Sequence, residues 1–160
     1  MFKPTRWLAA ALVGALALTA IGAGVVSAKP GGKKDRGTIY AAITHQSANK
    51  KIDFIAGQGT DKLLGATAVT FSAKVTPGTP GTIPITVNPV VIYYKTGTLS
   101  GTSTVDLTVN ANNTVTITKG KLTAKKGTGT LKGHSLVATV TGTGAGVAGP
   151  YVFNYTGTYK

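Results

Sequence analysis

A single antiparallel β-barrel of about eight strands is the fold this sequence predicts, and three observations predict it. Apolar and hydroxyl side chains alternate with a period of two through most of the chain after residue 36, which is the repeat of a strand with two unlike faces. Clusters of glycine, proline and asparagine interrupt that alternation at intervals of roughly ten residues, as turns do. Beyond the N-terminal apolar run, no stretch carries the 3.6-residue repeat of an amphipathic helix. Alternation alone also permits a two-layer β-sandwich, but closing the sheet removes its unpaired edges, which favours the barrel.

The N-terminal run reads as a secretory signal peptide over residues 1–28. Lys3 and Arg6 precede an apolar stretch from Trp7 to Val26, and Val26 and Ala28 stand three and one positions before a cut after Ala28. The run is long enough to span a bilayer, so an uncleaved anchor is the alternative. The chain has no cysteine. A lipid-modified anchor is thereby excluded, and the exported domain must hold itself together by packing and hydrogen-bond ladders rather than disulfides. The expected location is secreted or on the cell surface. Residues 29–36, KPGGKKDR, hold nothing apolar to bury and read as a disordered basic linker, leaving residues 37–160 for the barrel.

Taken in order, the first strand runs from Gly37 to Thr44, with Ile39, Ala41 and Ile43 on the inner face. In the second, Ile52, Phe54 and Ala56 are read as inward and Asp53 as outward. Thr60-Asp61 followed by Lys62-Leu63-Leu64-Gly65 reads as a cap, one turn and a glycine stop, with two leucines placed to plug one end of a barrel. The third strand carries Val69, Phe71, Ala73 and Val75 inward and ends at PGTPG. The fourth, within residues 83–95, holds Pro84 and Pro89, which call for an edge or a bulge. In the fifth, Leu99, Ser103, Val105 and Leu107 alternate with threonines and Asp106. The sixth starts with Val115 and Ile117 inward and changes phase at Gly120 so that Leu122 and Ala124 follow, the mark of a β-bulge. The seventh turns Leu136, Ala138 and Val140 inward, and the last aligns Tyr151, Phe153, Tyr155 and Tyr159 on one face.

At Gly127 to Gly133 the sequence GTGTLKG precedes a strand, and the chain ends on Gly157-Thr158-Tyr159. In these two places it resembles small secreted bacterial β-barrel proteins of unknown function that are similar to the allene oxide cyclase and dirigent superfamily. The resemblance covers about a quarter of the chain. It implies a barrel, and it carries no catalytic residue onto this sequence.

The chemistry on offer is sparse. The four acids are Asp35, Asp53, Asp61 and Asp106, and the two histidines are His45 and His134. With Asp53 and Asp106 read as outward and Asp61 as a cap, no inward carboxylate pair is expected, so a catalytic role is disfavoured and no cofactor is implied. A cyclase-like or isomerase-like enzyme is the alternative. His45 and His134 both continue inward registers, yet they fall at opposite ends of an up-and-down barrel, too far apart to share a metal. The candidate ligand-binding residues are Phe71, His134, Tyr151, Phe153 and Tyr155, facing a lumen that would take a small apolar molecule. The formal net charge is +13. Such a field draws polyanions, and Lys119, Lys121, Lys125, Lys126 and Lys132 form the candidate patch for an anionic cell-wall polymer. Nucleic acid is a poor fit, because no aromatics are interleaved among those lysines to stack bases. The outer threonine rows, such as Thr114, Thr116 and Thr118, suit water-facing strands; an ice-binding plane would need a flat sheet. An inverted barrel with its apolar face toward lipid has the same alternation but lacks aromatic girdles.

Overall fold

A computed structural model describes residues 32–160. The predicted signal peptide and the first residues of the predicted linker lie outside the described residues. Within them the chain forms eight strands: β1 (Lys33–Gln46), β2 (Ile52–Asp61), β3 (Gly65–Val75), β4 (Ile83–Tyr94), β5 (Gly97–Val109), β6 (Val115–Gly127), β7 (Leu136–Gly144) and β8 (Tyr151–Tyr159). Each pairs antiparallel with the next, and β8 pairs with β1, so the sheet closes into a barrel with strands in chain order. The one helical element among the described residues is a single 3-10 turn at Gly129–Leu131, between β6 and β7.

Period-two patterning accounts for most of the wall. Leu99, Val105 and Leu107 of β5, Leu136, Ala138 and Val140 of β7, and Tyr151, Tyr155 and Tyr159 of β8 are buried in the common core. The two expected bulges are present. In β6 the pairing with β7 shifts between Ile117 and Gly120, and Lys119 takes a φ of 50°, the left-handed region, so the extra residue carries the inward phase from Val115 and Ile117 to Leu122 and Ala124. In β4 the shift falls between Val87 and Val90, so the Asn88–Pro89 pair sits in a bulge where proline's missing N–H breaks no ladder bond. Bulky apolar groups line the inside while threonines and lysines of β5–β7 face out.

Three expectations are corrected. The stretch read as a disordered linker contributes the start of β1: Lys33 to Arg36 pair with Tyr159 to Thr156, and Asp35 is only 2 % exposed. A segment poor in apolar residues is ordered here by ladder bonds to β8, which composition does not register. In β2 the faces are the reverse of those expected. Ile55 and Asp61 are buried, and Phe54 lies on the outer side, stacked on His45 with ring centroids 4.3 Å apart. His45, in turn, leaves the inward register because the pairing of β1 with β2 slips between Ile43 and His45, leaving it exposed.

Candidate functional site: a cavity open at one end

The two ends of the barrel are finished differently. At the end where β1 begins, Asp61 closes the tight β2–β3 turn. Its Oδ1 accepts the backbone N–H groups of Leu63 and Leu64, both at 2.8 Å, which is the expected cap. The cap does more than expected, because Oδ2 of the same carboxylate points into the barrel. There it accepts the hydroxyl of Tyr94 at 3.1 Å and that of Tyr155 at 2.5 Å. Asp35 lies beside it, accepting the N–H of Arg36 at 2.8 Å through Oδ1, while its Oδ2 is buried without a hydrogen-bond partner among the described residues. Leu63 and Leu64 pack against the core, Leu131 of the 3-10 turn is buried, and together with Tyr159 they shut this end.

Burial and the neighbouring charge set the protonation of this layer. Loss of solvent, and then the charge of Asp61, push the Asp35 carboxyl up to about 7. Burial followed by the Asp61 charge raises the Tyr94 hydroxyl, and burial followed by the neighbouring Tyr94 raises that of Tyr155, so both stay protonated as hydrogen-bond donors. The absence of an inward carboxylate pair is therefore a fourth expectation the structure corrects. Composition alone places Asp35 in a polar linker, and a capping role suffices to explain Asp61, so the sequence does not bring the two together. The available signal was Gly37. In the pairings it faces Asp61 on β2 and Tyr155 on β8, and a Cβ there would come within 2.5 Å of the Tyr155 ring. An inward glycine between an acid and a tyrosine makes room for the ring to lie across it.

Above that layer the interior is not filled. A cavity of about 230 Å³ runs from Tyr155, Val69 and Ile92 at depth to Val75, Ile83 and Val147 at the far rim, where Val75 and Val147 are exposed. Its wall is almost wholly apolar: Ile39, Ile55, Phe71, Ala73, Ile85, Val87, Val90, Val105, Leu107, Leu122, Val140, Tyr151 and Phe153 contribute, with Ser103 and Asp53 as the polar exceptions. Asp35 and Asp61 do not line it; Tyr155 stands between the cavity and the acid pair.

Of the residues expected to meet a ligand, Phe71, Tyr151, Phe153 and Tyr155 all line the cavity. Phe71 and Phe153 meet edge to face with centroids 5.7 Å apart, and Tyr151 lies 5.8 Å from Phe153, its hydroxyl donating to the Val147 carbonyl. His134 does not belong with them. It sits at the closed end, stacked on Tyr159 at 5.1 Å with Nδ1 3.0 Å from the Lys160 carbonyl oxygen. The inward register begins only at Leu136, after a turn that reorients the chain. Asp53 is the residue the sequence reading turned the wrong way. It shares the inner face with Ile55, lines the cavity, and accepts a hydrogen bond at 2.6 Å from the Gln46 amide.

The five candidate lysines are exposed, though not as one compact patch. Lys119, on the bulge, lies 4.0 Å from Asp106, whereas Lys125 and Lys126 stand at the closed end of β6, roughly 20 Å further along at strand spacing. Lys132 follows the 3-10 turn at that same end.

The class these features define is a small up-and-down β-barrel with one closed polar end and one open apolar end. Comparison with family models, with curated proteins and with solved structures finds no match for this chain.

Proposed function

We propose that the protein is an exported, non-catalytic binding barrel that takes a small apolar molecule into its open end. The observation that carries this reading is the cavity itself. It is of about 230 Å³, walled by aliphatic and aromatic side chains, closed below by Tyr155 and open above. A core of this size gains packing energy by being filled, so an interior left open at one end is a feature better suited to a guest than to stability. An apolar cavity of about 150 Å³ accommodates benzene, so this one suits a guest of about ten carbons. The reading as an enzyme loses support from the placement of the acid pair, which lies behind Tyr155 rather than against the apolar cavity. The test is displacement of an environment-sensitive apolar dye by 1-decanol. Saturable displacement, weakened at least tenfold in Ala73→Phe, which fills the middle of the cavity, is the expected result. Equal binding to wild type and variant would end the reading.

The charge distribution favours a second, compatible role. Lys33, Lys34, Arg36, Lys62, Lys95, Lys125, Lys126, Lys132 and Lys160 all fall at or near the closed end, while the open end has Lys50, Lys51 and Lys74. A basic base of this kind would hold the barrel to an anionic cell-wall polymer with its mouth facing away. Elution from a heparin column at no more salt than a charge-scrambled control would overturn this attachment.

A further inference from the structure

One carboxylate and three aromatic rings share the upper part of the cavity. Asp53 enters from β2, Phe71 from β3, and Tyr151 and Phe153 from β8, all on the inner face. Among the residues lining the cavity, Asp53 is the one acid and no lysine or arginine stands opposite it. Among the described residues the one ion pair is Lys119 with Asp106 on the outer wall, so none of Lys50, Lys51 and Lys74 lies within 4.0 Å of the Asp53 carboxylate. Its Oδ1 is engaged by Gln46, and its charge is close enough to help raise the Tyr151 hydroxyl after burial. A carboxylate and the negative faces of aromatic rings are two features that attract the same kind of group, an organic cation.

Resting on the reading of the cavity as a ligand site, we propose that its guest is an apolar amine. The ammonium or quaternary ammonium head is held by Asp53 and the Phe71, Tyr151 and Phe153 rings, and a hydrocarbon body of about ten carbons points down toward Ile92 and Tyr155. A fatty acid of the same length is the wrong guest. Its carboxylate would face Asp53 with no cation in the lining to meet it, although the overall charge of +13 would favour anions at a distance. The distance term is screened beyond about 8 Å at physiological salt, whereas the contact within the mouth, partly buried, is screened much less.

The experiment compares decyltrimethylammonium, decylamine, 1-decanol and decanoate at submicellar concentration and physiological salt, by displacement of a neutral dye and by calorimetry. Both cations are expected to bind about tenfold tighter than the alcohol, and decanoate weaker than the alcohol. Asp53→Asn is expected to bring the amines to the level of the alcohol measured on the same variant, and Phe153→Leu to lower the quaternary amine more than the alcohol. Alcohol binding with no preference for amines, or a preference that survives Asp53→Asn, overturns this inference alone. Failure of all four probes to bind overturns the cavity reading and this inference with it.

Discussion

At the end where β1 begins, a buried layer of two aspartates and two tyrosine hydroxyls is sealed by Leu63, Leu64, Leu131 and Tyr159. At the other end Val75, Ile83 and Val147 surround an opening into an apolar space. The same eight strands run through both, with the same alternation, so the difference lies in what the ends carry. A short capped turn and a 3-10 turn fold inward at one end, while the connections at the other, two of them proline-bearing, leave the mouth uncovered. At the closed end a polar layer joins the apolar core in holding the barrel shut, whereas at the open end the apolar walls leave space between them. A buried polar layer can do this only because nearly every member has a partner, since a buried hydroxyl or carboxylate without one costs more than it contributes.

The largest expected break is at the closed end. Asp61→Ala removes the acceptor of two backbone N–H groups and two tyrosine hydroxyls, and should cost about 3 kcal/mol in urea unfolding. A loss under about 1 kcal/mol would mean the residue is a turn cap and nothing else. Gly37→Ala comes next, because a Cβ there would lie 2.5 Å from both the Thr60 carbonyl oxygen and the Tyr155 ring. Overpacking of that kind should cost about 2 kcal/mol, and a variant as stable as wild type would place the ring elsewhere.

Acidity sharpens the contrast further. The folded protein holds the Asp35 proton up to about pH 7, whereas an unfolded chain releases it near 4, so the native state binds the proton more tightly. The stabilisation is therefore fully present below about pH 4 and is lost as pH rises through about 7. Unfolding free energies of wild type and Asp35→Asn between pH 4 and 8 should diverge along that course. Parallel curves would show that Asp35 is not buried beside Asp61. At the open end the effects invert. Phe153→Leu should change stability by only about 1 kcal/mol yet lower affinity for a neutral apolar dye severalfold. The smallest effect belongs to the outer surface, where Lys125→Gln with Lys126→Gln should leave stability within about 0.5 kcal/mol and reduce only the salt needed for elution from heparin.

Much of the wall was legible in the sequence, because a side chain's face follows from its parity whenever the strand is unbroken. The β8 row of Tyr151, Phe153, Tyr155 and Tyr159 follows from that rule, the bulge at Gly120 shows as a break in it, and the bulge around Pro89 is one of the two places where proline's missing N–H is tolerated. The rule fails where parity has no anchor. In β2 the apolar residues Ile52, Phe54, Ile55 and Ala56 occupy both faces, so the pattern supports either phase, and pairing with β1 and β3 selects the one that turns Asp53 inward. At His45 a one-residue slip in the β1–β2 ladder, invisible in β1 alone, sends the ring outside.

By itself, then, the sequence determined an all-β chain of eight strands with a hydroxyl and lysine exterior, because period-two patterning is a local property of each segment. Tertiary structure alone decided that Asp35 and Asp61 meet under Tyr155, that the space above them stays open, and that Asp53 faces it. Those facts depend on register between strands distant in sequence, and register is set by the ladders that close the barrel.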